Sequence, residues 1–410
     1  MRDKSRPALA FCAAATLAFA AAVCPAIELT EPAKGATVSL VPDAQKRVMS
    51  LPTLEERIQL LADDKALYKS KTWRKPCPLV LKWKCAENER GPWKIEIGRR
   101  PDLSDARVWE VDAKKNPNKT LVHVPEMEFT VPLANLEVAR KYYWRVSCRN
   151  RCRKYNCNFK CKCPESKEVA ASEISSFRTE DFAPRWIEIE GRASNIRDLG
   201  GRLTSSGRRV RQGMAIRGQG LNDNSKTGER KGRNRLTVED VKYLTGTLGI
   251  RTDLDLRGSA ETADMTESPL GPDVAFVQFA AEGYKKIFED FGKSIMARTF
   301  RVFCDRKNYP IYFHCIGGAD RTGALAYVLN GVLGVDRHDL ETDFESTFYP
   351  NIPDANPDPN YWRRESHFND GFSKYGKEGD SWNRRIELYL LDCGVTEEEI
   401  AAFRSIMLEE

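Results

Sequence analysis

The chain has 410 residues, enough for two or three domains of ordinary size. Apolar residues at 41% and charged residues at 30% describe a folded globular protein and exclude a disordered one. A net charge of +6 is mild: it favours anionic ligands slightly and does not suggest a nucleic-acid partner, which calls for a concentrated basic face.

Residues 1–26 differ from the rest. Arg2, Lys4 and Arg6 form a basic start, Ala8 to Val23 is apolar and uncharged, and Cys24 and Ala26 fit the −3 and −1 places of a cleavage site. This is the pattern of a secretory signal peptide. The apolar run is shorter than the roughly 20 residues that span a bilayer, and Val23 fits a lipoprotein signal poorly. The expectation is an exported protein, periplasmic or extracellular, with no stable membrane insertion.

Ten of the twelve cysteines lie beyond that segment. Seven (Cys77, Cys85, Cys148, Cys152, Cys157, Cys161 and Cys163) fall in the first half, while Cys304, Cys315 and Cys393 are scattered. In an exported chain the cluster reads first as disulfides and second as a zinc knot, its spacings resembling ligand pairs only loosely. Seven is odd, so at least one thiol is free or pairs outside the group. Cys304 or Cys393 could also bridge to Cys315 and silence it.

Residues 27–180 read as all-β with one helical insertion. Leu79 to Cys85, Trp93 to Ile97, Glu128 to Val131 and Tyr142 to Val146 alternate apolar and polar, as half-buried antiparallel strands do. Thr53-Leu54-Glu55-Glu56 opens the insertion with a capping-box pattern, followed by Leu54, Ile58, Leu61 and Leu67 near helical spacing. With Trp83 in the second strand, Leu136 before Lys141-Tyr142-Tyr143-Trp144-Arg145-Val146, and a last strand Ser175 to Thr179, this part resembles a fibronectin type III sandwich. The cysteine cluster would occupy the loop between its last two strands, and a surface or extracellular partner could dock on it.

The pattern changes around Glu180 to Pro184. Over 185–410, buried-strand runs at Ile250 to Leu256 and Tyr309 to Cys315 alternate with helical runs. Those helices are expected at 238–248, 284–303, 321–333, 339–348, 382–391 and 397–407. This is the order of an α/β domain with a mainly parallel sheet.

The chemistry concentrates in His314-Cys315-Ile316-Gly317-Gly318-Ala319-Asp320-Arg321-Thr322-Gly323. Strand, glycine loop and apolar helix make a cradle for an anion, with loop amides turned inward and a helix N-terminus behind them. Such a cradle lowers the Cys315 pKa into the range of about 3.5–7.5. It also holds phosphoryl oxygens on the amides of Ile316 to Arg321, with Arg321 as a bidentate clamp. Thr322 is placed to stabilise the departing thiolate, and His314 to shape the loop.

This region resembles the protein tyrosine phosphatase superfamily, and within it the bacterial atypical tyrosine/dual-specificity phosphatases. Asn195-Ile196-Arg197-Asp198-Leu199-Gly200-Gly201, Met214 to Arg217, Gly249 to Thr252, Asp255-Leu256-Arg257 with Glu261, Asp343-Phe344 and Gly394 to Thr396 carry the resemblance beyond the loop. It implies a phosphocysteine mechanism with neither metal nor cofactor, acting on phosphorylated protein or a small phosphomonoester. It also implies Asp320 as general acid, Asp255 as the alternative acid or a structural pair with Arg257, and Glu261 as the carboxylate orienting Arg321. Many relatives have lysine where this chain has Ala319, which weakens a phosphoinositide or inositol-phosphate substrate. A catalytically weak phospho-ligand-binding module is the remaining alternative.

Overall fold

The computed structural model describes residues 27–64, 73–85, 91–112, 121–124, 126–149, 168–224, 232–349 and 364–410. The expected signal segment and four cysteines of the cluster, Cys152 to Cys163, lie outside them. No described helix is long and apolar enough to cross a membrane.

The first part forms two sheets around one core. Strands β1 (Glu28–Glu31), β3 (Leu79–Lys84), β7 (Glu126–Val131) and β6 (Leu121–Val124) lie side by side in that order. The second sheet runs β2 (Thr37–Val38), β10 (Ser175–Thr179), β8 (Lys141–Arg149), β4 (Trp93–Gly98) and β5 (Arg107–Val111), with β9 (Glu168–Ala171) on β8. All pairs are antiparallel except β2 with β10. The period-two pattern is why these segments pair: Leu79, Leu81 and Trp83 turn inward while Val80 and Lys82 stay half-exposed. Trp83 and Trp93 meet edge to face across the core at 5.4 Å. Trp83 falls in the third strand, because two short strands precede it.

The insertion between β2 and β3 holds two helices, α1 (Asp43–Met49) and α2 (Leu54–Asp63). Thr53 and Glu56 cap α2 reciprocally, at 3.2 and 3.0 Å. Its apolar side does not join the core of the strands around it. Val48, Met49, Leu61 and Trp73 pack into the core of the C-terminal part. Arg57 of α2 is fully buried there, donating to Glu345 through Nε and Nη2 at 2.6 Å each. By packing, the insertion belongs to the second unit although it interrupts the first.

The C-terminal part is a five-stranded sheet in the order β11 (Arg197–Asp198), β12 (Ala215–Gly218), β15 (Ile311–His314), β13 (Thr252–Asp255) and β14 (Ala275–Gln278). Only β11 is antiparallel to its neighbour. The helices are α3 (Val238–Lys242), α4 (Ser259–Thr262), α5 (Asp290–Phe303), α6 (Asp320–Leu333), α7 (Arg337–Ser346), α8 (Arg364–Phe372), α9 (Trp382–Asp392) and α10 (Glu397–Met407). The run expected as one helix over 238–248 changes at Tyr243 into a π-helix through Thr247, and the run expected over 284–303 begins as a 3₁₀ turn at 284–288. Every residue of α6 from Thr322 to Leu333 is buried, which accounts for its nearly unbroken apolar sequence. The central strand β15 points its C-terminal end at the N-terminus of α6, and the loop between them is the site.

Candidate active site

Strand β15 ends at His314 and α6 begins at Asp320, leaving Cys315 to Ala319 to turn the chain. The turn closes tightly because Gly318 has φ +66° and lies against β12: a Cβ there would sit 2.4 Å from the Gly218 carbonyl oxygen. The loop's carbonyls are engaged outward. Ile316 O accepts from the Gly220 amide at 3.2 Å, and Gly317 O and Gly318 O accept from Asn195 Nδ2 at 3.0 and 3.1 Å. Gly318 O also accepts from Arg217 Nη2 at 2.8 Å. With the oxygens held away, the amides of this segment turn to the centre, as an anion cradle requires.

The Cys315 sulfur lies at the floor of the cradle, its residue 3% exposed. Burial pushes the thiol up. The Thr322 hydroxyl and amide, the Arg321 charge and the Ala319 amide outweigh it, and the thiol is held below its ordinary value. Arg321 is oriented by Glu261 of α4, which accepts from Nη1 at 2.7 Å and Nη2 at 3.0 Å, and by Leu256 O at 3.2 Å. Ile316, Gly317, Ala319, Asp320 and Arg321 are the partly open residues of the loop, so this is the face a ligand meets.

His314 sits beneath the loop, fully buried. Its Nε2 lies 2.9 Å from Asp253, and its Nδ1 is 3.1 Å from Cys315 O and 3.7 Å from Asp255. Burial opposes a charge on the ring, but Asp255 and Asp253 raise its pKa. With oxygens within reach of both nitrogens, the ring braces the loop. Asp255 is itself fully buried and accepts from the Arg257 amide, Nε and Nη2 at 2.7–3.1 Å, while Arg257 also reaches Asn222 Oδ1 at 2.7 Å. Of its two sequence-based roles, this geometry favours the structural pair over the acid. Asp320 is the first residue of α6, at the rim of the cradle.

Several residues beneath and beside the cradle belong to the motifs of the sequence without a role assigned there, or to none of them. Asn195 holds φ +58°, a conformation asparagine tolerates, and this turns its amide onto the loop. Arg197, Arg202 and Arg217 all reach the Asp343 carboxylate of α7, at 2.9, 3.3 and 2.5 Å. Burial pushes the Asp343 carboxyl up, but the three guanidiniums hold it well below the usual carboxylate range. Burial and the neighbouring Arg197 lower Arg217 to about 9. Glu282 lines a small hollow with Arg321, Leu256 and Met296, and Gly283 packs over the Asp320–Arg321 backbone. Glu282 is therefore a second carboxylate at the rim.

Cys304, Cys315 and Cys393 are all thiols, so the bridge from Cys315 to either neighbour is not formed. Among the described residues no group of three His, Cys, Asp or Glu side chains is arranged to hold a metal ion.

Residues 187–355 match the tyrosine phosphatase family. Among solved structures, the chain is similar to the core catalytic domain of the PP-IP phosphatase SIW14 from S. cerevisiae, solved with citrate. The identity is 16%, covering 34% of this chain and 80% of that one, with a TM-score of 0.23. No curated protein sequence matches. The family match spans the loop Cys315 to Arg321, and together with the geometry of that loop it supports a cysteine-based phosphatase of the protein tyrosine phosphatase superfamily.

Proposed function

We propose that the chain hydrolyses phosphomonoesters, with phosphotyrosine protein as the leading substrate class, through a phosphocysteine intermediate on Cys315. The observation that carries this reading is the buried Cys315 at the turn from β15 into α6, in a loop whose carbonyls are held outward by Gly220, Asn195 and Arg217 and beside an Arg321 fixed by Glu261. The thiolate attacks phosphorus and the ester oxygen leaves with a proton from a rim carboxylate. Asp320 is the first choice for that acid. Water then attacks the S–P bond, releasing phosphate and regenerating the thiolate. Arg321, held by Glu261, spans two phosphoryl oxygens as charge builds on them. Ala319 adds no cation for a second phosphate, which favours simple monoesters over multiply phosphorylated ligands.

The test is hydrolysis of an aryl phosphate by the full chain in the presence of EDTA. Turnover that Cys315→Ser abolishes supports the assignment, and turnover that survives this substitution overturns it. Phosphate binding without turnover would leave a phospho-ligand-binding module. Comparing phosphotyrosine peptides with inositol phosphates decides the substrate class.

The N-terminal unit is assigned to the fibronectin type III kind. Its two-sheet order supports this, as does the Tyr142 hydroxyl, which accepts from the Glu137 amide at 2.9 Å across a tight corner. Its role is to dock on a surface or extracellular partner. Residues 1–26 direct export. A secreted product whose N-terminus is Ile27 is the expected result, and a retained Met1 in the exported fraction would refute it.

A further inference from the structure

Behind the phosphate loop the described residues bury more positive charge than their carboxylates neutralise. Arg197, Arg202 and Arg217 are each no more than 2% exposed, and Asp343 is the carboxylate all three reach. Arg202 Nε and Nη1 and Arg217 Nε are buried donors with no hydrogen-bond partner among the described residues. A buried cluster with excess cation and unspent donors is unfavourable by itself, and it is retained where an anion completes it. The anion at hand is on the other side of one peptide group, because Arg217 Nη2 donates to Gly318 O, at the crest of the loop that holds the Cys315 sulfur.

Resting on the phosphatase reading, we propose that Arg217 is a positioning residue: it fixes the Gly318 peptide so that the loop amides face the sulfur, and it carries the Arg197–Arg202–Asp343 cluster's surplus charge to the thiolate and the bound phosphoryl group. The two functions use different atoms. Nη2 holds the loop, and Nη1 is tied to Asp343. Lysine would keep the charge but could not bridge both acceptors.

Other ionisable groups around the loop come from the elements packed against it. They are Arg321 and Asp320 of α6, Glu261 of α4, and Arg257 beyond β13. Asp253 and Asp255 of β13, Tyr312 and His314 of β15, and Arg235 beside Ile316 O lie there too. Most of these charges are locally paired: Arg321 with Glu261, Arg257 with Asp255, His314 with Asp253, and Arg235 with Asp223. Among the described residues around the loop, the Arg217 cluster is left with an excess.

The test uses the full chain with Arg217→Met and Arg217→Lys and reads two quantities. The first is the pH midpoint for alkylation of Cys315 by iodoacetamide, followed by peptide mass. The second is kcat/KM on an aryl phosphate. Arg217→Met is expected to raise the midpoint by about one pH unit and lower kcat/KM about tenfold or more. Arg217→Lys is expected to restore the midpoint while leaving kcat/KM low. A folded Arg217→Met variant with an unchanged midpoint would overturn the proposal. Should that variant not fold, Arg202→Met removes a cluster charge without touching the loop, and an unmoved midpoint there overturns it equally. Alkylation needs no substrate, so absence of turnover in the unaltered chain would refute the phosphatase reading while the midpoints still decide this one.

Discussion

Arg57, in a helix inserted between two N-terminal strands, holds Glu345 with two 2.6 Å hydrogen bonds across 288 positions of sequence, both side chains fully buried. Glu345 lies on α7, the helix that also supplies Asp343 to the arginines beneath the phosphate loop. Removing one member of a buried pair leaves the charge of the other uncompensated. Arg57→Met is therefore expected to destabilise the C-terminal unit by about 3–5 kcal/mol, read by urea unfolding. Adding Glu345→Met should recover most of that loss. A single variant within about 0.5 kcal/mol of the parent would show the pair to be dispensable.

The thiols should separate by reactivity. Cys315 is held below its ordinary value, whereas burial pushes Cys304 and Cys393 up to about 12. At pH 7 iodoacetamide should modify Cys315 at least about a hundredfold faster than either, because only a thiolate attacks. Peptide mapping over time reads the three rates, and comparable rates would contradict the acidified cradle.

Gly318→Ala should cost about a hundredfold or more in kcat/KM, since its Cβ would press on the Gly218 carbonyl at 2.4 Å and displace the loop amides. Gly317 is the contrasting position, because the nearest heavy atom to a Cβ there is 3.9 Å away. Equal losses at the two glycines would show that the contact with β12 is not what shapes the loop.

The reacting groups were legible because they are contiguous: strand, loop and helix start lie within His314 to Gly323. The partner of Arg321 was legible too, as Glu261 follows Asp255-Leu256-Arg257 at a fixed distance. What supports the loop was not. Asn195, Arg217 and Asp343 could be quoted as motif members, but their roles arise only when three distant segments meet behind Gly318. The insertion escaped for a related reason. Its capping box and apolar spacing identify a helix, but spacing does not say which of two cores that helix will enter. Glu282 carries no local pattern at all, and only the packing of Gly283 on Asp320 and Arg321 brings it to the site.

The two rim carboxylates can be told apart by leaving group. Loss of the general acid should lower kcat/KM about 10²–10⁴-fold for an alkyl phosphate and far less for p-nitrophenyl phosphate, whose leaving oxygen needs no proton. Asp320→Asn is expected to show that contrast. Were Glu282→Gln to show it instead, the acid would sit on the segment after β14 and Asp320 would be a brace of the loop.

The depth of the Cys315 sulfur also acts as a sieve. At 3% exposure, beneath a loop pinned by Asn195 and Arg217, it admits a small oxidant or a phosphoryl group but leaves little room for a second protein's sulfur to approach in line. On the exported route proposed for this chain, its chief hazard would be peroxide-like molecules rather than disulfide-exchange enzymes. The geometry that concentrates phosphate on the thiolate would thus also choose which chemistry can inactivate it.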